Sequence, residues 1–327
     1  MPARRFALYF SWSRSKESQA ELSTLENRFP ALFEFRRAIW PHYEQKSDPT
    51  RFKQDIAGFL DHVILSDFQG FRDVIATATG HQPPIVAREA DGTVQKLNDT
   101  LLKEIDTLIV VSLDHFDTDQ RVEVTECESV RRFLAREGAC LFICPHHDIG
   151  AEKIPEDRSA ERVQEDRVVE FTHHGDRLVP ARQRIGGFAR SLLSGLGFPI
   201  ENKYGLSPAQ TNDGLPAPLE VLQDADDLKV LHGVETFNAH PHLPHLDMTG
   251  SGKGQIRVLA RQLINPTASR HPFVDAGNRY FNALLWMPPE ADRAGNVFVC
   301  DATLWSSAFG GMKSLQRFWL NLTLLPV

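Results

Sequence analysis

The stretch Arg132-Phe-Leu-Ala-Arg-Glu-Gly-Ala-Cys-Leu-Phe-Ile-Cys144 decides the fold. Its first half closes a helical pattern that runs over Asp119–Glu137 and stops at Gly138. Its second half, Ala139–Cys144, is apolar without a break. A strand with no polar position has protein on both faces, the mark of a parallel sheet covered by helices. Upstream, Thr107-Leu-Ile-Val-Val-Ser112 is a second such run, and Asp61–Ser66 and Pro84–Arg88 read as shorter strands. Phe71–Thr79 has helical spacing, and Leu101–Ile105 leads into the 107–112 run. Downstream, Ile185–Leu196 reads as a helix ended by Gly197. Leu228–Phe237, Ile256–Leu259, Tyr280–Met287 and Asn296–Cys300 read as strands, 202–226 as loop-rich, and Lys313–Leu324 as a last helix. Strands alternating with helices predict an α/β domain whose mostly parallel sheet carries helices on both faces. Ligands of such sheets bind at the carboxyl ends of the strands.

The α/β pattern is expected over 61–327, with a highly charged insertion at about 150–182. Residues 1–60 are expected to form a partly helical N-terminal arm. Within it Leu25, Phe29, Leu32, Phe33, Phe35, Ile39 and Trp40 recur at helical spacing. Such an arm packs on the main body or on a second subunit, which makes it a candidate homodimer surface.

At 327 residues the chain has enough length for a full core, and 42% hydrophobic with 24% charged residues is ordinary for a globular protein. A net charge of −7 leaves no electrostatic footprint for nucleic acid or an anionic membrane. No apolar run approaches the roughly 18–20 residues of a membrane span. The N-terminal apolar run is too short for a signal peptide, so a cytoplasmic setting is expected. The four cysteines contain no C-x-x-C pair and make no disulfide framework. Cys140 and Cys300 lie in apolar runs as buried thiols.

Two segments concentrate chemistry. One is Cys144-Pro-His146-His147-Asp148, directly after the Ala139–Cys144 strand. The other is Thr236-Phe-Asn-Ala-His240-Pro-His242-Leu-Pro-His245-Leu-Asp247, which holds three of the 13 histidines. Pro241 and Pro244 keep that run out of helix, and in an extended segment His240 and His242 share a face. Imidazole titrates near neutrality and is the commonest metal ligand. Cys144, His146, His147, Asp148, His240, His242, His245 and Asp247 together offer N, S and O donors that suit Zn²⁺ or a similar divalent ion. Asp67, Asp114 and Asp301 also end predicted strands and are candidates for the same pocket. His173-His174, in the charged insertion, and His271-Pro272 are weaker candidates, and His62, His81, His115 and His232 read as structural.

The layout resembles the class I glutamine amidotransferase-like superfamily, including its ThuA-like members. Cys144 lies about eighty residues past His62-Val-Ile-Leu, as that family's nucleophile follows its first strand. Phe237-Asn-Ala-His240-Pro241-His242 is similar to its His-Pro-Glu motif, and Asn296-Val-Phe-Val-Cys-Asp301 with a terminal helix to its closing elements. The resemblance implies a flavodoxin-like, doubly wound fold and a Cys144–His240 catalytic pair. The departures are chemical. Pro145 follows the cysteine where the family offers a backbone N–H to an oxyanion, and one lost donor costs about 10²–10³ in rate. His242 stands where a glutamate orients the histidine. A glutaminase triad is therefore not expected. The expected activity is hydrolysis or lysis of a small polar molecule in a histidine-rich pocket, assisted by a divalent metal or by His acid–base groups, with no nucleotide cofactor. The alternatives are a non-catalytic binding or scaffold protein that keeps this fold, and a cysteine hydrolase using Cys144 and His240.

Overall fold

A computed structural model describes residues 3–13, 16, 67–89, 93–114, 118, 120–146, 159–161, 164, 186–249, 256–267 and 271–326. The arm helix expected at Leu25–Tyr43, the strand expected at Asp61–Ser66 and most of the 150–182 insertion lie outside these residues.

The chain builds an eight-stranded, mostly parallel sheet in the order β2-β1-β3-β4-β10-β9-β8-β6. The strands are β1 Phe6–Ser13, β2 Ile85–Glu89, β3 Thr107–Ser112, β4 Cys140–Pro145, β6 Glu220–Val221, β8 Arg257–Leu263, β9 Tyr280–Met287 and β10 Asn296–Cys300. Pairings from β2 across to β10 are parallel, and those of β10–β9, β9–β8 and β8–β6 are antiparallel. β5 Ile200–Leu206 and β7 Leu243–Met248 form a separate antiparallel pair. The described helices are α1 Gln69–Thr79, α2 Asp99–Leu102, α3 Val124–Leu134, α4 Gly187–Leu196, α5 Pro272–Asp275 and α6 Met312–Thr323.

Strand alternation divides the core in two. Phe142 and Cys144 of β4 point into a cluster closed by Phe71 and Ile75 of α1 and by Leu315, Phe318 and Trp319 of α6. Leu141 and Ile143 point the other way, onto Val130 and Phe133 of α3 and Phe188 and Leu192 of α4. Each face of β4 is therefore dry, which is why its run Cys140–Pro145 carries no charged or hydroxyl side chain.

Two expectations are corrected. Phe6–Ser13, placed in an arm by the sequence, is an interior strand buried along its whole length between β2 and β3. With the sheet's first described strand there, eighty residues from His62 no longer measures the separation of first strand and cysteine. Leu228–Phe237 is no strand but a series of turns. The Asp226 carboxylate accepts the N–H groups of Val230 and Leu231 at 3.0 and 2.8 Å, and Lys229 and Gly233 have φ of 56° and 70°. The apolar residues of that segment reach the core through turns rather than a pleat.

Candidate functional site

β4 and β10 are hydrogen-bonded parallel neighbours, with Ile143 level with Val299, so their carboxyl ends open side by side. His146 is the first residue beyond β4 and Asp301 the first beyond β10. His146 Nδ1 lies 2.8 Å from Asp301 Oδ2, and both side chains are largely buried. The carboxylate is held from behind. Asp301 caps the 3₁₀ turn Ala302–Trp305, where its Oδ1 accepts the Thr303 N–H at 2.8 Å and the Thr303 hydroxyl. Thr303 Oγ1 accepts from Asn238 Nδ2 at 2.9 Å, and Asn238 Oδ1 accepts the N–H of His240 at 3.0 Å. Asn238 is wholly buried, and its own carbonyl accepts from Gln262. A buried chain of hydrogen bonds, Asn238–Thr303–Asp301–His146, thus ties the histidine run to the strand ends.

The rings meet as well. The His146 and His240 centroids are 4.8 Å apart, those of His240 and His242 5.3 Å, and Phe309 packs edge-on to His240 at 4.3 Å. The backbone N–H of His242 donates to His240 Nδ1 at 3.1 Å. A backbone N–H can only donate, so the neutral His240 ring carries its proton on Nε2. At His146 the carboxylate accepts, so the proton of the neutral ring sits on Nδ1 and Nε2 is its acceptor atom. Two adjacent imidazoles are thereby given opposite hydrogen-bonding characters. The amide of Asn202 on β5 donates to the His146 carbonyl and fixes the strand end further.

The other expected site residues are distributed differently. Cys144 is not on a turn. It lies inside β4, wholly buried, with its Sγ 3.6 Å from Cys300 Sγ and accepting the Trp305 indole N–H at 3.1 Å. A nucleophile must be reached by substrate and ionise. This thiol faces the core, because alternation along β4 turns position 144 to the side of Phe142. Burial and the neighbouring sulfur also push the Cys300 thiol upward. His245 and Asp247 lie on β7 and are engaged elsewhere. His245 Nδ1 accepts the Asn282 N–H at 3.2 Å, and Asp247 pairs with Lys203 at 2.7 Å. Burial lowers the pKa of His245. His147 and Asp148 lie outside the described residues. Among the described residues no group of three or more His, Cys, Asp or Glu side chains is gathered to hold a metal ion, and no helix is long and apolar enough to cross a membrane.

Asp114, also at a strand end, is buried in a structural setting. It accepts from Ser11, Ser112 and the Phe188 N–H at 2.8, 2.5 and 3.1 Å and so caps the start of α4, and burial raises its pKa. Asn238, Thr303 and Phe309 were not singled out by the sequence. Two local signals exist for them. Asp301-Ala-Thr303 after a strand is a cap pattern, and Asn238-Ala-His240 has the spacing of a side chain that bonds its own backbone two residues on.

No protein-family model matches the chain, and no curated protein matches it.

Proposed function

We propose that the protein is an enzyme that hydrolyses or lyses a small polar molecule, with His146 as general base and His240 as hydrogen-bond donor. The observation that carries this reading is the Nδ1–Oδ2 contact of 2.8 Å between His146 and Asp301 at adjacent strand ends. A carboxylate on Nδ1 fixes the tautomer and orientation of the ring and stabilises the imidazolium that forms when Nε2 takes a proton. In the hydrolytic version, a water O–H proton passes to His146 Nε2 as the water oxygen bonds to an electrophilic carbon. The C–N or C–O bond then breaks, and the leaving group takes the proton back from the imidazolium. The Nε2–H of His240, fixed by the His242 N–H, is suited to hold the developing oxyanion. The strand order 2-1-3-4-10 over the parallel part supports a flavodoxin-like, doubly wound layout, a class of fold that binds ligands at the carboxyl ends of its strands, where His146 and Asp301 lie.

A divalent-metal version draws on the same contact, because a metal-ligating imidazole usually gives its other N–H to a carboxylate. His146 through Nε2 would be its first ligand, with His147 and Asp148 next in the chain.

The test is a screen of small esters, amides, lactones and lyase substrates against wild-type protein, His146→Ala, Asp301→Asn and Cys144→Ala, with metal content measured in parallel. The expected result is turnover that falls at least about 100-fold in the first two variants and survives in the third. Turnover unchanged in folded His146→Ala would overturn the proposal and favour a binding protein. Stoichiometric metal, with activity lost on chelation, would select the metal version.

A further inference from the structure

Four further rings pack against one another around the β5–β7 pair, and the acid–base chemistry does not use them. Tyr204 of β5 meets His271 at 4.7 Å and Phe273 at 5.4 Å between centroids, and Phe273 meets His245 at 4.7 Å. All four residues are half-buried. Tyr204 belongs to the stretch Asn202–Ser207, which touches both histidine segments. Asn202 donates to the His146 carbonyl, and Ser207 Oγ donates to the Pro241 carbonyl at 2.7 Å. Tyr204 sits between those two anchors.

Three features distinguish this cluster from ordinary packing. The first is backbone strain. Tyr204 has φ of 68°, a left-handed conformation that an L residue with a ring adopts at a cost, and it lies where the β5–β7 register shifts between Lys203 and Leu206. Such irregularities re-aim a side chain next to a site. The second is tautomer control. His271 Nδ1 accepts the Phe273 N–H at 3.1 Å, and His245 Nδ1 accepts the Asn282 N–H, so both neutral rings carry a proton on Nε2. The third is vacancy of the polar ends. Among the described residues, the Tyr204 hydroxyl and the Nε2–H groups of His245 and His271 meet no protein partner. Two N–H donors and a phenol are thus presented from an aromatic wall, with Lys203 and Arg261 near enough to act on His245.

We infer that Tyr204, His245, His271 and Phe273 form a binding subsite for a planar ring that carries a hydrogen-bond acceptor, such as an aromatic or heteroaromatic carboxylate. Ring faces take the planar part, and the Nε2–H and phenol groups take the acceptor. The inference rests on the acid–base reading only for its meaning as a substrate subsite. Binding itself requires no turnover.

The test is calorimetric titration of the full chain with benzoate and nicotinate, with acetate as a ringless control and long-range ¹H–¹⁵N spectra of the imidazoles. The ring probes are expected to bind at least about tenfold tighter than acetate and to move the Nε2 resonances of His245 and His271. Tyr204→Gly removes the ring and relaxes the backbone, and His271→Phe keeps the ring volume and removes the donor. Each is expected to weaken ring-probe binding at least about tenfold, while His146→Ala leaves it unchanged. Failure of both ring probes to bind wild type overturns the inference. So does unchanged binding in His271→Phe, which reads the donor even if Tyr204→Gly does not fold. Ring-probe binding that persists when no turnover is found separates this inference from the proposed activity.

Discussion

His146 and Asp301 lie 155 positions apart in the chain and meet at 2.8 Å because they leave adjacent parallel strands at the same end. The carboxylate is braced by Thr303, and Thr303 by Asn238, so the imidazole sits at the end of a connected buried chain. Asp301→Asn keeps the shape and removes the charge. An asparagine in either orientation stabilises imidazolium less well and no longer selects one tautomer strongly. The Nε2-unprotonated signature of His146 in ¹⁵N spectra is expected to be lost. The variant is expected to unfold at lower urea concentration, by about 1–3 kcal/mol for a compromised buried partner. An unchanged ¹⁵N pattern would show that Asp301 does not set the ring's tautomer.

Gly311 starts α6 directly beneath the histidine run. Its φ is 68°, and a Cβ there would stand 2.5 Å from the Phe237 carbonyl oxygen, one residue before Asn238. Gly80, at the end of α1, has a similar φ of 77° with open space around it. Gly80→Ala is expected to cost about 1–2 kcal/mol for the left-handed backbone alone. Gly311→Ala is expected to cost more, because a backbone carbonyl must move, and to displace the His240 ring resonances, which Gly80→Ala leaves in place. Paired urea unfolding curves and imidazole spectra make the comparison. Equal costs for the two variants would mean that the Phe237 backbone yields freely.

Cys144 and Cys300 are expected to behave as core atoms. Their sulfurs are inaccessible, and Cys144 already accepts the Trp305 indole. Labelling of both by a thiol reagent is expected to follow the global unfolding rate, measured by mass spectrometry against tryptophan fluorescence. Rapid labelling of Cys144 in the folded protein would return it to the list of nucleophiles.

What the sequence disclosed follows the reach of each physical signal. β3, β4, β9 and β10 were legible because a strand buried on both faces is apolar at consecutive positions, and Gly138 and Gly197 stop their segments with φ of 74° and 84°. Phe6–Ser13 was passed over because Arg4 and Arg5 precede it and Ser11 and Ser13 lie in it. Those polar groups are satisfied internally. Arg4 donates to Thr107, Gly138 and Pro326, and Ser11 donates to Asp114. The density of histidines near 240 picks out a segment whose His240 ring the structure brings to 4.8 Å from that of His146, at the end of β4. The thiol at 144 reads as a turn residue because the apolar run ends there; β4 continues one residue further, to Pro145, and alternation turns Cys144 to the core side with Phe142. The Asp301–His146 contact was beyond any local pattern, because only the sheet order brings β10 beside β4.

The half-buried imidazoles of His245 and His271 make stability depend on pH with a definite sign. Burial lowers both pKa values from the usual 6.5. Below 6.5 the unfolded chain takes up protons at these rings before the folded chain does, so protonation draws the equilibrium toward unfolding. Their stabilising contribution is complete above about pH 6.5 and is lost as pH falls from there through the lowered folded values. Buried Asp114 works in the opposite sense, since its raised pKa favours the folded state on acidification. The net slope therefore mixes the two, and the difference between proteins isolates the histidines. Melting temperatures of wild type and of the double variant His245→Gln/His271→Gln, taken between pH 7.5 and 5, are expected to converge as pH falls. The double variant pays lost packing and hydrogen bonds at every pH but no protonation penalty. Parallel curves across that range would mean that the two rings titrate alike in the folded and unfolded chains, and that the ring cluster around Tyr204 is as wet as bulk solvent.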